Sequence, residues 1–254
     1  KKPVSHGLLD FTALESRERN CREEVRLNAR LAPDIYLGVT PLRLSAAGQL
    51  TFEDDGAVVE WLVKMRRLPA SRMLDWMIEH GSVKEPEIDA AANLLIAFYK
   101  QATAVVQSAD EVWQRFAGEH ERDAKMLGNR RFDIDHAQAG RVLRHMSDAL
   151  TGVRPLLQRR SDEGVYVEGH GDLRPEHICL LPQPVIIDCL EFSRDLRLLD
   201  PFDEIAFLDL ECERLGAAWI GQRFLSLCRR DLPYPAPTTL IRFYRAARAL
   251  VRAR

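Results

Sequence analysis

The stretch from Val165 to Phe192, VYVEGHGDLRPEHICLLPQPVIIDCLEF, constrains the chain more than any other. An apolar entry leads into a tight His170-Gly171-Asp172 turn. The apolar run Ile178-Cys179-Leu180-Leu181 follows, and Pro182-Gln183-Pro184 separates it from Val185-Ile186-Ile187. Two short apolar runs about a turn predict a β-hairpin. Asp172 precedes the first run and Asp188 ends the second, so the hairpin is expected to carry both carboxylates to one end. Two acids converging beside a glycine turn suit two linked tasks: accepting a proton from an attacking hydroxyl, and holding a divalent metal.

The rest of the chain sets the setting for those acids. Its 254 residues suffice for one large domain or for two lobes sharing a cleft. A hydrophobic fraction of 46% with 29% charged residues excludes a disordered chain. A net charge of −2 gives no electrostatic basis for binding nucleic acid or an anionic membrane. The basic concentration from Arg242 to Arg254 is interleaved with Leu240, Ile241, Phe243, Tyr244, Leu250 and Val251 at helical spacing, which predicts a helix with a solvated basic face. Cys21, Cys179, Cys189, Cys212 and Cys228 form no CxxC pair and sit mostly in apolar runs, as buried thiols in a reducing, cytoplasmic compartment would. No signal peptide and no membrane-spanning apolar run is visible. His6, His80, His120, His136 and His145 show no metal-ligand spacing.

The periodicities predict a small strand-plus-helix start followed by a helical remainder. Pro3-Val4 reads as the tail of a strand with Lys1 and Lys2. Thr12-Ala13-Leu14-Glu15 has the pattern of a capping box opening a helix to about Leu31, ended by Ala32-Pro33. Ile35 to Leu44, Gln49 to Phe52 and Val58 to Met65 read as antiparallel strands. From Pro69 onward helices dominate: Glu87 to Val106, a second capping box at Ser108 to Glu111, Asp133 to Leu150 and Gly152 to Arg160. Beyond the hairpin come Pro201 to Cys212, Ala217 to Arg229 and Pro237 to Arg254. The class is α+β, divided as 1–68 and 69–254. The chain opens on Lys1 rather than Met and closes within a helical pattern, so a longer protein is expected.

HGDLRPEHICLLPQPVIIDCLEF resembles the catalytic loop and metal strand of the aminoglycoside-phosphotransferase-like kinases, whose pattern is H-G-D-x-x-x-x-N followed by an I-D strand. The resemblance extends to KKPV, the EEVRLN helix, the VEWLVKMRRLP strand and FYRAARALVR near the end. It implies a protein-kinase-like two-lobe fold, with a small, apparently truncated β-rich N-lobe and a large helical C-lobe carrying the catalytic hairpin. It also implies ATP with Mg²⁺ as the phosphate source. Asp172 would be the catalytic carboxylate, His170 would support its turn, and Asp188 would be the principal metal ligand. The family's second ligand, an Asn, falls on His177. Imidazole is a poorer partner than an amide oxygen for Mg²⁺ and suits Mn²⁺ or Zn²⁺ better. His177 thus ligates through nitrogen, contacts phosphate, or marks a weakened second metal site.

Further positions follow from the same resemblance. Lys1, with Lys2 as rival, would hold the α- and β-phosphates, and Glu24, with Glu23 as rival, would hold that lysine. A surface lysine and a solvated helix carboxylate are the plain alternatives. Backbone groups around Met65 to Leu68 would meet adenine, unless they only end an ordinary edge strand. Arg174 would reach phosphate or form a surface salt bridge. Asp203, in the D-x-x-D pattern begun by Asp200, would brace the catalytic loop, and it also sits where a helix dipole favours an acid. The glycine-rich strands that cover phosphates would lie before Lys1, so this stretch alone is expected to bind ATP weakly. Members of the bacterial branch it most resembles often carry a P-loop ATPase domain after the kinase-like part, and no GxxxxGK[ST] occurs here. Two functions compete: a phosphotransferase acting on a hydroxyl of a small molecule, and a catalytically weak nucleotide-binding scaffold.

Overall fold

Short alternating runs interrupted by Gly and Asp form the strands at the start of the chain, and the computed structural model describes residues 3–6, 9–53 and 56–254. Lys1 and Lys2 lie outside the described residues. β1 (Ser5–His6) and β2 (Leu9–Asp10) make a small antiparallel ribbon. Helix α1 (Leu14–Asn28) follows, but the expected capping box does not form and the N-cap is Ala13 without a side-chain bond. Asp10 has captured the threonine. The Thr12 hydroxyl and amide both donate to Asp10 Oδ1, at 2.6 and 3.1 Å. A carboxylate two residues upstream competes locally for the groups that a cap would use.

Strands β3 (Tyr36–Leu44), β4 (Leu50–Thr51) and β5 (Ala57–Met65) form an antiparallel sheet in the order β4-β3-β5, close to the predicted bounds. Helix α1 packs on β3 and β5. Helices α2 (Leu74–Glu79) and α3 (Glu85–Gln101) come next. Helix α4 (Ala109–Leu127) opens on a complete capping box. Glu111 N–H donates to Ser108 Oγ at 3.2 Å, and Ser108 N–H donates back to Glu111 Oε2 at 2.8 Å. Helices α5 (His136–Gly152) and α6 (Arg154–Asp162) precede the short strand β6 (Val167–Glu168). The predicted hairpin is present as β7 (Ile178–Cys179) and β8 (Val185–Ile186), paired antiparallel. Strand β9 (Leu198–Leu199) pairs with β6, and α7 (Pro201–Arg214), α8 (Ala218–Asp231) and α9 (Thr238–Ala253) complete the chain.

The chain divides into two compact units. One comprises the chain up to Phe98 with His170–Asp172 and Glu176–Arg197; the other comprises Tyr99–Gly169, Leu173–Pro175 and Leu198–Arg254. In the first, Ala32, Ile35 and Tyr36 form a buried cluster against which Val63, Leu68, Val185 and Ile187 pack. The apolar face of β8 therefore shares a core with β3 and β5. In the second, α7 packs on α8 and α9, and α4 packs on α5, α6 and α9. Phe202, Ile205, Leu208, Phe224, Leu240 and Tyr244 are essentially inaccessible there, each worth about 1.5–3 kcal/mol of burial.

The basic face of α9 is not simply solvated. Arg245 reaches Asp209 at 2.6 Å, Arg248 reaches Asp203 at 2.9 Å and Arg252 reaches Glu211 at 3.1 Å, all acids of α7. Their carboxylates are buried, and buried carboxylates need such partners. All five cysteines are buried free thiols. Among the described residues no helix is long and apolar enough to cross a membrane.

Candidate functional site

His170, Asp172, His177 and Asp188 all lie within the first unit. At the His170-Gly171-Asp172 turn, Gly171 adopts φ +92°, and a Cβ there would lie 2.8 Å from Leu190 Cβ and 3.1 Å from Arg197 Cγ. Only glycine combines that backbone conformation with that closeness. His170 is fully buried and works as a staple. Its Nε2 lies 2.8 Å from the Ile187 carbonyl oxygen and its Nδ1 accepts from Asp172 N–H at 3.3 Å. A carbonyl can only accept, so Nε2 carries the proton and the ring is the neutral tautomer. Leu190 N–H donates to His170 O at 2.9 Å, tying the turn a second time to the segment that follows β8.

His177 makes a parallel tie. Its ring lies 5.7 Å from that of His170, inclined by 23°. Nδ1 donates to the Asp172 carbonyl oxygen at 2.8 Å, and Nε2 faces Asp188 Oδ2 at 3.3 Å. One imidazole thus connects the main chain of Asp172 with the side chain of Asp188. The hairpin supplies this register: Ile187 N–H donates to His177 O at 2.9 Å. The His177 side chain is 6% exposed, whereas that of Asp188 is 59% exposed, so the pair has one buried member and one open to solvent.

Asp188 has φ +64°, in the left-handed region. Asp tolerates that region better than most residues, but the surroundings must still hold it. Two side chains do so. Asp188 N–H donates to the Tyr36 hydroxyl at 3.2 Å, and Cys189 N–H donates to Asn28 Oδ1 at 2.9 Å. Asn28 is fully buried, and its Nδ2 donates to the Glu24 carbonyl at 2.8 Å. Burial pushes the Tyr36 phenol far above its ordinary range, and the nearby Glu24 and Asp188 carboxylates add to the shift. The phenol therefore stays protonated. Arg197, also buried, donates to the carbonyls of Leu190, Glu191 and Ser193 at 2.7, 3.2 and 3.1 Å and fixes the turn after Asp188. The sequence pattern gave no sign of Tyr36, Asn28 or Arg197, because their partners here are main-chain groups, which carry no residue type, and those of Tyr36 and Asn28 lie far away in the chain.

The remaining predicted positions separate. Lys1 lies outside the described residues. Glu23 is engaged by Arg26 at 2.7 Å and by Arg197 at 3.1 Å, which lowers its pKa below the usual carboxylate range. Glu24 is half-buried on the same helix, near Tyr36. Met65 is exposed at the end of β5 opposite Tyr36, and Leu68 packs on the Ala32–Ile35–Tyr36 cluster. Arg174 and Asp203 belong to the second unit. The Asp203 carboxylate, expected to brace the catalytic loop, accepts two hydrogen bonds from Arg248, both at 2.9 Å. The acid lying against the residue before His170 is its neighbour Glu204. A Cβ on Gly169 would sit 2.7 Å from Glu204 Oε2, which also accepts from the Tyr99 hydroxyl at 2.6 Å. Both Asp203 and Glu204 are buried in the first turn of α7, and Arg248 engages the first while Tyr99 engages the second.

Among the described residues no three His, Cys, Asp or Glu side chains converge as a metal cage. The His177–Asp188 pair by itself brings one imidazole nitrogen to one carboxylate oxygen.

The backbone has a counterpart among solved structures: glucosamine kinase superposes with a TM-score of 0.58 at 14% identity, covering 80% of this chain and 56% of that one. The fold is kinase-like. No family model matches the sequence. Uncharacterized proteins of Mycobacterium bovis and of two Mycobacterium tuberculosis strains are 36% identical over 261 residues, a match of 100% of this chain and 50% of theirs. The chain spans about half the length of these curated relatives.

Proposed function

We propose that the protein is an ATP-dependent phosphotransferase that moves the γ-phosphate to a hydroxyl of a small molecule. The observation that carries this reading is the double tie of His177, at 2.8 Å to the main chain of Asp172 and 3.3 Å to the carboxylate of Asp188. It couples a candidate proton acceptor to a candidate metal ligand through one buried imidazole. The kinase-like backbone and the H-G-D resemblance support the same chemistry.

In this reading Asp172 orients the acceptor hydroxyl and takes its proton as the oxygen bonds to the γ-phosphorus. The bond from that phosphorus to the β,γ-bridging oxygen breaks, and ADP leaves. A divalent cation held by Asp188 and His177 would supply charge neutralisation at the phosphates. His170 and Tyr36 keep Asp172 and Asp188 in place, which is most of what phosphoryl transfer asks of a protein. Glu24 would steady a phosphate-holding lysine, and Met65 to Leu68 would offer main-chain groups to adenine. The additional length of the relatives leaves room for the further ATPase domain that the resemblance implies.

His177 in place of an amide ligand favours a second reading, a nucleotide-binding scaffold with little turnover. Following ATP by ³¹P NMR in the presence of pooled hydroxyl metabolites separates the two. Transfer predicts ADP with a new phosphomonoester signal, and a scaffold predicts bound ATP that stays intact.

A further inference from the structure

The donor set at Asp188 does not fit the ion that the kinase-like resemblance implies. The Asp172 carbonyl can only accept, so the 2.8 Å contact to His177 Nδ1 requires the proton on Nδ1. In the neutral ring the lone pair is then on Nε2, the atom 3.3 Å from Asp188 Oδ2. A proton on Nε2 makes this contact an ion pair, whereas in the neutral ring the two lone-pair-bearing atoms repel at that distance unless a metal cation joins them. The separation is a chelate bite. Bonds of about 2.1 Å place adjacent ligand atoms roughly 3.0 Å apart in an octahedron and roughly 3.4 Å apart in a tetrahedron. Geometry therefore admits any small divalent ion, and donor chemistry must select among them. Mg²⁺ is hard, takes oxygen and dehydrates reluctantly, whereas first-row transition ions accept imidazole nitrogen readily.

Resting on the proposal that Asp188 is a metal ligand, we infer that the site is built for a nitrogen-accepting first-row ion of the Mn²⁺ class rather than for Mg²⁺. The bond from His177 Nδ1–H to Asp172 serves as the outer tie that fixes ring orientation and raises the basicity of Nε2. The same bond makes metal occupancy felt at the main chain of the catalytic carboxylate. His170, stacked 5.7 Å away with its Nε2–H spent on Ile187, confines the ring from its face.

The test titrates the protein with Mn²⁺ and with Mg²⁺, each alone and with ADP, by calorimetry, and records pulsed EPR of the Mn²⁺ complex. Direct ligation predicts a ¹⁴N coupling from imidazole, and Mn²⁺ affinity exceeding Mg²⁺ affinity at least tenfold. In His177→Asn the ¹⁴N coupling disappears and the Mn²⁺ advantage shrinks to a few-fold. Because His177 is buried and Asn could disturb its surroundings, Asp188→Asn serves as a second variant. It leaves the imidazole untouched and is expected to weaken both metals. A bound Mn²⁺ without nitrogen coupling, or no Mn²⁺ binding with ADP present, overturns the inference. ATP turnover is scored separately. Nitrogen ligation without turnover keeps the inference and sinks the phosphotransferase proposal. Turnover with Mg²⁺ and no nitrogen coupling does the reverse.

Discussion

Two acid-bearing turns in this chain have opposite designs. In the second unit, Asp200 is buried and saturated: Arg160 donates to it from Nε at 2.6 Å and from Nη2 at 2.8 Å, the Tyr244 hydroxyl donates at 3.1 Å, and Phe202 N–H completes the helix cap at 3.0 Å. In the first unit, Asp188 keeps a largely exposed carboxylate, a left-handed backbone and an imidazole as its partner, and the surrounding side chains bind its main chain instead. An acid whose charge is neutralised by a dedicated arginine holds the fold together. An acid held by its backbone, with an exposed carboxylate beside a single imidazole, leaves room for a group from outside the chain, as the proposed function requires.

That contrast breaks most easily through stability. Asp200→Asn strips the buried Arg160 of its main counter-charge and is expected to cost about 3–5 kcal/mol, a fall in Tm of roughly 10 °C for a chain of this size. Asp188→Asn is expected to leave Tm within about 1 °C and to abolish metal-dependent turnover. Thermal melting of the two variants side by side decides it, and a large loss of stability in Asp188→Asn would put that residue in the structural class.

The supports of Asp188 sharpen the comparison at intermediate magnitude. Asn28→Ala removes the side-chain acceptor of the Cys189 N–H, and Tyr36→Phe removes that of the Asp188 N–H, at about 1–3 kcal/mol each. Both are expected to weaken Mn²⁺ binding several-fold although neither side chain is proposed as a ligand, and Asn28→Asp, which keeps an acceptor, should recover part of the metal affinity. Calorimetric titration reads this directly. Unchanged affinity in both truncations would mean that Asp188 holds its conformation unaided.

The smallest effects separate two turns that look alike in sequence. Ser108→Ala removes a formed capping box and is expected to destabilise by about 1 kcal/mol. Thr12→Ala removes a cap that never formed and should cost only a few tenths of that in a denaturant titration.

Those two sites also show how far the sequence reaches. The Ser108 box and the central hairpin are legible because capping and hairpin turns are local, written in residues three to ten apart. Thr12 has the same local pattern, but Asp10 reached it first, and nothing in a capping pattern weighs such a competitor. Tyr36 and Asn28 escape for another reason. They lie 152 and 161 residues from the amides they hold, and a main-chain amide has no residue type to recognise. Asp203 and Glu204 differ only in who faces them, Arg248 in one case and Tyr99 with Gly169 in the other. Periodicity shows that a helix carries arginines, as α9 does, but not that the acids of α7 wait opposite.

The central claim, that Asp172 takes the proton from an acceptor hydroxyl beside a metal held at Asp188, is tested most directly by [γ-³²P]ATP. The protein and its Asp172→Ala variant are incubated with Mn²⁺ and a pool of hydroxyl metabolites, and label in organic phosphate is counted. Transfer in the wild type, falling by about 10²-fold or more in Asp172→Ala with ADP binding retained, is the predicted result. Equal transfer by both proteins, or none by either while ATP binds normally, would contradict it.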